Sequence, residues 1–130
     1  MFNTARIFAG IAGIIHVLFF LMESVFWLNP AIHSVFLIDN LADAQLLDVY
    51  VKNQGYYNLF LAIGMFVGIW LTTRNKQTGS AIIIYTCLVM IGAAVVLRLT
   101  IPDMTSGPYI QGVAPLIALI ALQLDRRATA

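Results

Sequence analysis

The run TARIFAGIAGIIHVLFFLMESVFWL, residues 4–28, carries only three ionisable side chains, Arg6, His16 and Glu23, in an otherwise mostly apolar stretch. A helix needs roughly 20 such residues to cross the hydrocarbon core of a bilayer. The run stops at Asn29-Pro30, because proline cannot donate a helical hydrogen bond and disfavours helix at the residue before it. Arg6 ahead of an apolar segment is also how a secretory signal begins. No small-x-small cleavage pattern stands just before Glu23, however, so the segment reads as a retained membrane helix.

Working outward, three more stretches meet the same criterion: about residues 55–73, 79–101 and 109–124. The third ends before Pro102, and the fourth is short enough to stand nearly upright in the bilayer. The whole chain, 1–130, reads as one all-α transmembrane domain, an integral membrane four-helix bundle. Composition agrees, since 61% of residues are hydrophobic, only 10% are charged, and the mean hydropathy is +0.90. A soluble domain with so little charge would expose apolar area that drives aggregation. The formal charge of +1 leaves no basic footprint for nucleic acid. A lone Cys87 in an apolar run cannot form an intrachain disulfide and reads as a small buried hydrophobe.

Charge placement orients the spans. Arg6 precedes the first, Arg74 and Lys76 lie between the second and third, and Arg126 and Arg127 follow the fourth. The other two connections are net acidic, with Asp39, Asp43, Asp48 and Lys52 in one and Asp103 in the other. This alternation predicts a multi-pass protein of the cell membrane with both termini cytoplasmic. The outer connection after the first span is long, and Ala31 to Ile38 is apolar enough to lie along or dip into the membrane surface. Capping by Asp39 or Asp43 would extend the second helix upstream to about residue 43, above the membrane.

Orientation gives each polar residue a depth. Glu23 falls roughly 7 Å inward from the outer end of the first span, and Asn58 reaches a similar level from the second. Asn53 and Gln54 lie just above, with Tyr56 or Tyr57 close by, Arg98 near the outer end of the third span and Gln111 near the outer start of the fourth. These positions predict a single polar chamber in the outer half of the bundle, with His16 as its floor about 10 Å deeper. Pro115 leaves the carbonyl of Gln111 without its helical partner and adds an acceptor to the cluster. A charged residue at mid-membrane costs about 2.5 to 3.5 kcal/mol on insertion scales, so Glu23 must be offset by pairing with Arg98 or by protonation.

Other features have plainer readings. His16 reads as a neutral imidazole hydrogen-bonded between helices, and it lies too far along the helix from Glu23 to share a metal ion, so no metal or other cofactor is expected. His33, in the outer connection, reads as solvated. Gly64 and Gly68 form a G-x-x-x-G flanked by Ala62, which allows close helix approach either inside the bundle or in a homodimer. Trp27, Trp70, Tyr56, Tyr57 and Tyr109 fall near span ends and read as interfacial anchors. The chain lacks a P-loop, a dinucleotide-binding glycine fingerprint, H-E-x-x-H and G-x-S-x-G, which disfavours common soluble-enzyme chemistries.

His16 followed by Glu23 and Phe26-Trp27, and then Asn53-Gln54-Gly55-Tyr56-Tyr57-Asn58-Leu59-Phe60-Leu61-Ala62, resembles a family of small bacterial and fungal membrane proteins, domain-of-unknown-function family 1304. The resemblance covers nearly the whole chain, Ile110-Gln111-Gly112 included. It departs at Ile15, where the family pattern has an acidic residue, and at Pro115, where the family proline stands one position earlier. The resemblance implies four membrane helices and no established activity.

Three functional expectations follow. The first is a membrane protein that binds or acts on a small amphiphilic or lipid-like ligand, with Glu23 as acid or base, His16 as a weaker second candidate, and Asn53, Gln54, Asn58, Arg98, Gln111 and Tyr57 lining the site. The second is a small proton-coupled carrier acting as an oligomer. The third is a non-catalytic structural or partner-binding subunit. Convergence of polar groups from four helices favours the first, since convergence makes a pocket.

Overall fold

The computed structural model describes residues 1–128, and among them there is no strand. Helix α1 (Phe2–Phe20) runs into a π-helical turn at Leu21–Val25. A short α2 (Pro30–His33) and a 3-10 turn (Ser34–Phe36) form the long connection, and α3 (Leu41–Leu71), α4 (Lys76–Thr100) and α5 (Ser106–Ala128) complete the chain. Four helical segments, Phe2–Val25 and the three long helices after it, are long and apolar enough to cross a membrane. The chain is a multi-pass membrane protein.

Helix α1 packs on α3 and α5, and α4 packs on the same two, so α1 and α4 stand on opposite corners of the ring. Small side chains make this close packing feasible: Ala5, Ala9 and Ala12 line the buried face of α1, and Ala114, Ala118 and Ala121 that of α5. Met65, Ile83, Cys87 and Met90 fill the space between them, with Cys87 a buried free thiol. The outward faces stay apolar, as at Ile7, Ile14, Leu18, Leu88 and Leu99. That pattern suits lipid as the surrounding solvent and small residues as the helix contact.

The G-x-x-x-G of α3 faces α4 of the same chain. A Cβ on Gly68 would stand 2.9 Å from Ile83 Cγ1, while one on Gly64 would meet Thr86 Oγ1 at 3.5 Å. Gly68 is therefore used in close packing within the chain.

The connection between α1 and α3 departs from expectation in three ways. The helix expected to reach residue 28 ends earlier, through a π turn closed by Phe26 N–H donating to Leu21 O at 2.9 Å. The segment after it is folded into a compact reversal. Asn29 caps α2 by accepting from Ala31 N–H at 3.0 Å, Leu37 takes the left-handed conformation (φ 64°), and Ile38 N–H returns to His33 O at 3.1 Å. The chain thus folds back over Trp27. Trp27 is no interfacial anchor: it is 2% exposed, its Nε1–H donates to Ala44 O at 2.8 Å, and Phe36 stacks edge-on at 5.5 Å. His33 is likewise not solvated. It is 2% exposed, its ring meets Trp27 at 6.3 Å, and its Nδ1–H donates to the Ile38 carbonyl.

Helix α3 is capped by neither Asp39 nor Asp43. Asn40 is the N-cap, accepting from Asp43 N–H at 2.9 Å and donating through its amide to Asp43 Oδ2 at 2.7 Å. Its 31 residues make it about 46 Å long, well beyond the roughly 30 Å of a hydrocarbon core, so its first turns extend past the apolar layer or the helix tilts.

Candidate functional site

Glu23 stands at the centre of the π turn and faces α3. Its Oε2 accepts a hydrogen bond from Asn58 Nδ2 at 2.7 Å, and the two residues are 7% and 5% exposed. The neighbouring Ser24 hydroxyl donates to Lys52 O at 2.9 Å, so two consecutive side chains of the π turn bond to α3. Gly55 makes the approach feasible, because a Cβ there would collide with Ser24 Oγ and stand 3.0 Å from Glu23 Cβ. π turns inside membrane and soluble helices recur at functional sites, where they re-aim side chains at the cost of regular hydrogen bonding.

The Glu23 carboxylate has no cationic partner among the described residues, where the ion pairs are Lys52 with Asp48 and Lys76 with Asp125. The expected pairing with Arg98 does not form. Arg98 lies exposed on α4, diagonal to α1, and its Nη1 donates to Pro102 O at 3.3 Å. A neutral amide is therefore the carboxylate's hydrogen-bond partner here.

His16 is fully buried on α1, with Phe19 edge-on at 5.9 Å. Its Nδ1 lies 2.9 Å from Ala12 O, one turn back on its own helix. A carbonyl only accepts, so Nδ1 carries the hydrogen of this bond. The bond is thus within one helix, where a bond between helices was expected. Nε2 itself has no hydrogen-bond partner among the described residues.

Of the residues expected around the chamber, Glu23 and Asn58 are brought together. Asn53, Gln54 and Tyr57 are exposed on α3, because the face that meets α1 carries Gly55, Asn58, Ala62 and Met65. Gln111 is half-buried on α5, and Pro115 stands buried within that helix. Ser24 joins the site with no signal in the sequence beyond its place beside Glu23. No group of three or more His, Cys, Asp or Glu side chains among the described residues could hold a metal ion.

The family described as Protein of unknown function (DUF1304) matches residues 10–123. The chain belongs to this family. The matched stretch contains His16, Glu23, Ser24, Gly55 and Asn58, so the contact of the π turn with α3 at these residues falls inside DUF1304. Comparison with curated proteins and with solved structures gave no match.

Proposed function

We propose that this DUF1304 protein binds, and acts on, a small amphiphilic or lipid-like molecule at the Glu23 end of its helices, with Glu23 as the acid or base. The observation that carries the reading is a buried carboxyl whose hydrogen-bond donor is a neutral amide. A carboxyl kept only for architecture would be expected to carry a cation, because an uncompensated buried charge costs several kcal/mol. One that must gain and lose a proton is better served by an amide, which bonds to either form. The π turn supports the same reading, since it aims Glu23 and Ser24 together at α3. Asn58 orients the carboxyl, and burial limits its contact with water.

The charge alternation of the connections supports placing both termini in the cytoplasm and the Glu23 end outside, in the cell membrane. A proton-coupled carrier is the second reading. His16 favours it, because its bare Nε2 offers another proton acceptor on the same helix, roughly 10 Å deeper.

The experiment is labelling of the purified protein with dicyclohexylcarbodiimide, an apolar reagent that adds to protonated carboxyls reached from the membrane. Mass analysis is expected to find the adduct on Glu23, to lose it in Glu23→Gln, and to find it reduced when a bound amphiphile occupies the site. An unlabelled Glu23 in folded protein, together with a Glu23→Gln variant of unchanged cellular phenotype, would leave only the architectural role.

A further inference from the structure

The opposite end of the molecule holds two adjoining clefts. The first, of about 390 Å³, is lined by Phe2 of α1, by Lys76, Gln77 and Ser80 of α4 and by Leu122, Asp125 and Arg126 of α5. The second, of about 320 Å³, is lined by Ile84 of α4 and by Leu119, Ile120 and Gln123 of α5, and shares Leu122 and Arg126 with the first. Ile84 lies one turn beyond Ser80, and Leu119 and Ile120 lie roughly 9 Å along α5 from Arg126. The polar cleft is therefore at the helix ends and the mostly apolar one is deeper in the span.

We propose that the two clefts together bind one anionic phospholipid, its phosphate beside Lys76 and Arg126 and an acyl chain along Ile84, Leu119 and Ile120. Two cationic side chains and one carboxylate line the polar cleft. Asp125 accepts from Lys76 Nζ at 2.8 Å and so fixes the ammonium, which also lies 4.4 Å from the Phe2 ring centroid. An ammonium has three hydrogens, which leaves donors for a phosphate oxygen. Gln77 and the Ser80 hydroxyl supply neutral polar groups beside it. Basic pockets between membrane helices on the cytoplasmic side suit anionic headgroups, and this end carries the basic connections. The apolar continuation distinguishes a lipid from a free anion.

Native mass spectrometry of the full chain, titrated separately with phosphatidylglycerol, phosphatidylcholine of the same acyl chains and inorganic phosphate, tests this. Phosphatidylglycerol is expected to be retained in preference to phosphatidylcholine, and inorganic phosphate not at all. Arg126→Gln, at an exposed position, should reduce the preference about fivefold, the factor that corresponds to about 1 kcal/mol per Lys or Arg near an anionic surface. Arg127→Gln, outside both clefts, should leave it unchanged. Ile120→Trp should weaken both lipids alike by filling the apolar cleft. Equal retention of the two lipids would overturn the proposal. So would an equal loss in Arg127→Gln, which would mean a diffuse basic surface, or retention of inorganic phosphate as strong as that of the lipid.

Discussion

Gly55 of α3 lies directly beneath Ser24 of the π turn, so that a Cβ on Gly55 would collide with Ser24 Oγ and stand 3.0 Å from Glu23 Cβ. Ser24 can rotate away only by giving up its bond to Lys52 O, and Glu23 Cβ moves only with the backbone. Gly55→Ala should therefore destabilise the protein by about 1 to 3 kcal/mol, the usual cost of overpacking. Thermal unfolding in detergent would measure it. Ser24→Ala in the Gly55→Ala background removes the colliding oxygen and should recover part of the loss.

The Glu23 and Asn58 pair predicts a difference between single and double replacement. Asn58→Leu leaves the carboxyl without its donor and should cost about 1 to 3 kcal/mol, the penalty for an unsatisfied buried group. Glu23→Leu combined with Asn58→Leu removes both polar groups and should return stability to that of the parent or above it. If Glu23 acts as proposed, the double variant should still fail the cellular assay. Unfolding measured across the four-member cycle, beside a cellular assay, separates what the pair does for stability from what it does for function.

The spans are legible in the sequence because hydropathy and proline placement are local: Pro102 stands just past the end of α4, although the first helix already ends at Val25, ahead of Asn29-Pro30. Glu23 and Asn58 could be set at one depth because helical rise converts sequence distance into height. Azimuth was a different matter. Height alone grouped Arg98 with Glu23, but the order of helices around the ring puts α4 diagonal to α1 and turns Arg98 outward. The same lack of azimuth placed Asn53, Gln54 and Tyr57 in the chamber, whereas a single face of α3 meets α1. The π turn had no local signal, since LMESV at residues 21–25 is as compatible with an α-helix. Trp27 and His33 near a span end read as interfacial and solvated by composition, and only the reversal at Leu37, which folds the connection over them, buries both.

That reversal makes Trp27 the centre of the cap over the α1–α3 end. Trp27→Phe keeps most of the apolar body but loses the Nε1 bond to Ala44 O, and should cost about 1 kcal/mol. Trp27→Ala removes the packing against Phe36 and His33 as well, and should cost about 3 to 5 kcal/mol. The loss should be local. Amide hydrogen exchange is expected to rise in residues 29–41 more than in α4 or α5, and a uniform rise would show that Trp27 supports the whole bundle.

Arg98 offers the sharpest contrast between an ion pair and a carboxyl held by an amide. If Glu23 were stabilised by Arg98, removing the guanidinium would leave a buried charge unpaired and cost about 3 to 5 kcal/mol. The observed Arg98 reaches only the Pro102 carbonyl, at an exposed site near the end of α4. Arg98→Gln should accordingly change stability by no more than about 0.5 kcal/mol, as exposed substitutions usually do. Carbodiimide labelling of Glu23 should be the same as in the parent, whereas Asn58→Leu should alter it. Unfolding and labelling of the two variants side by side make the comparison, and a large loss of stability in Arg98→Gln would restore the ion pair.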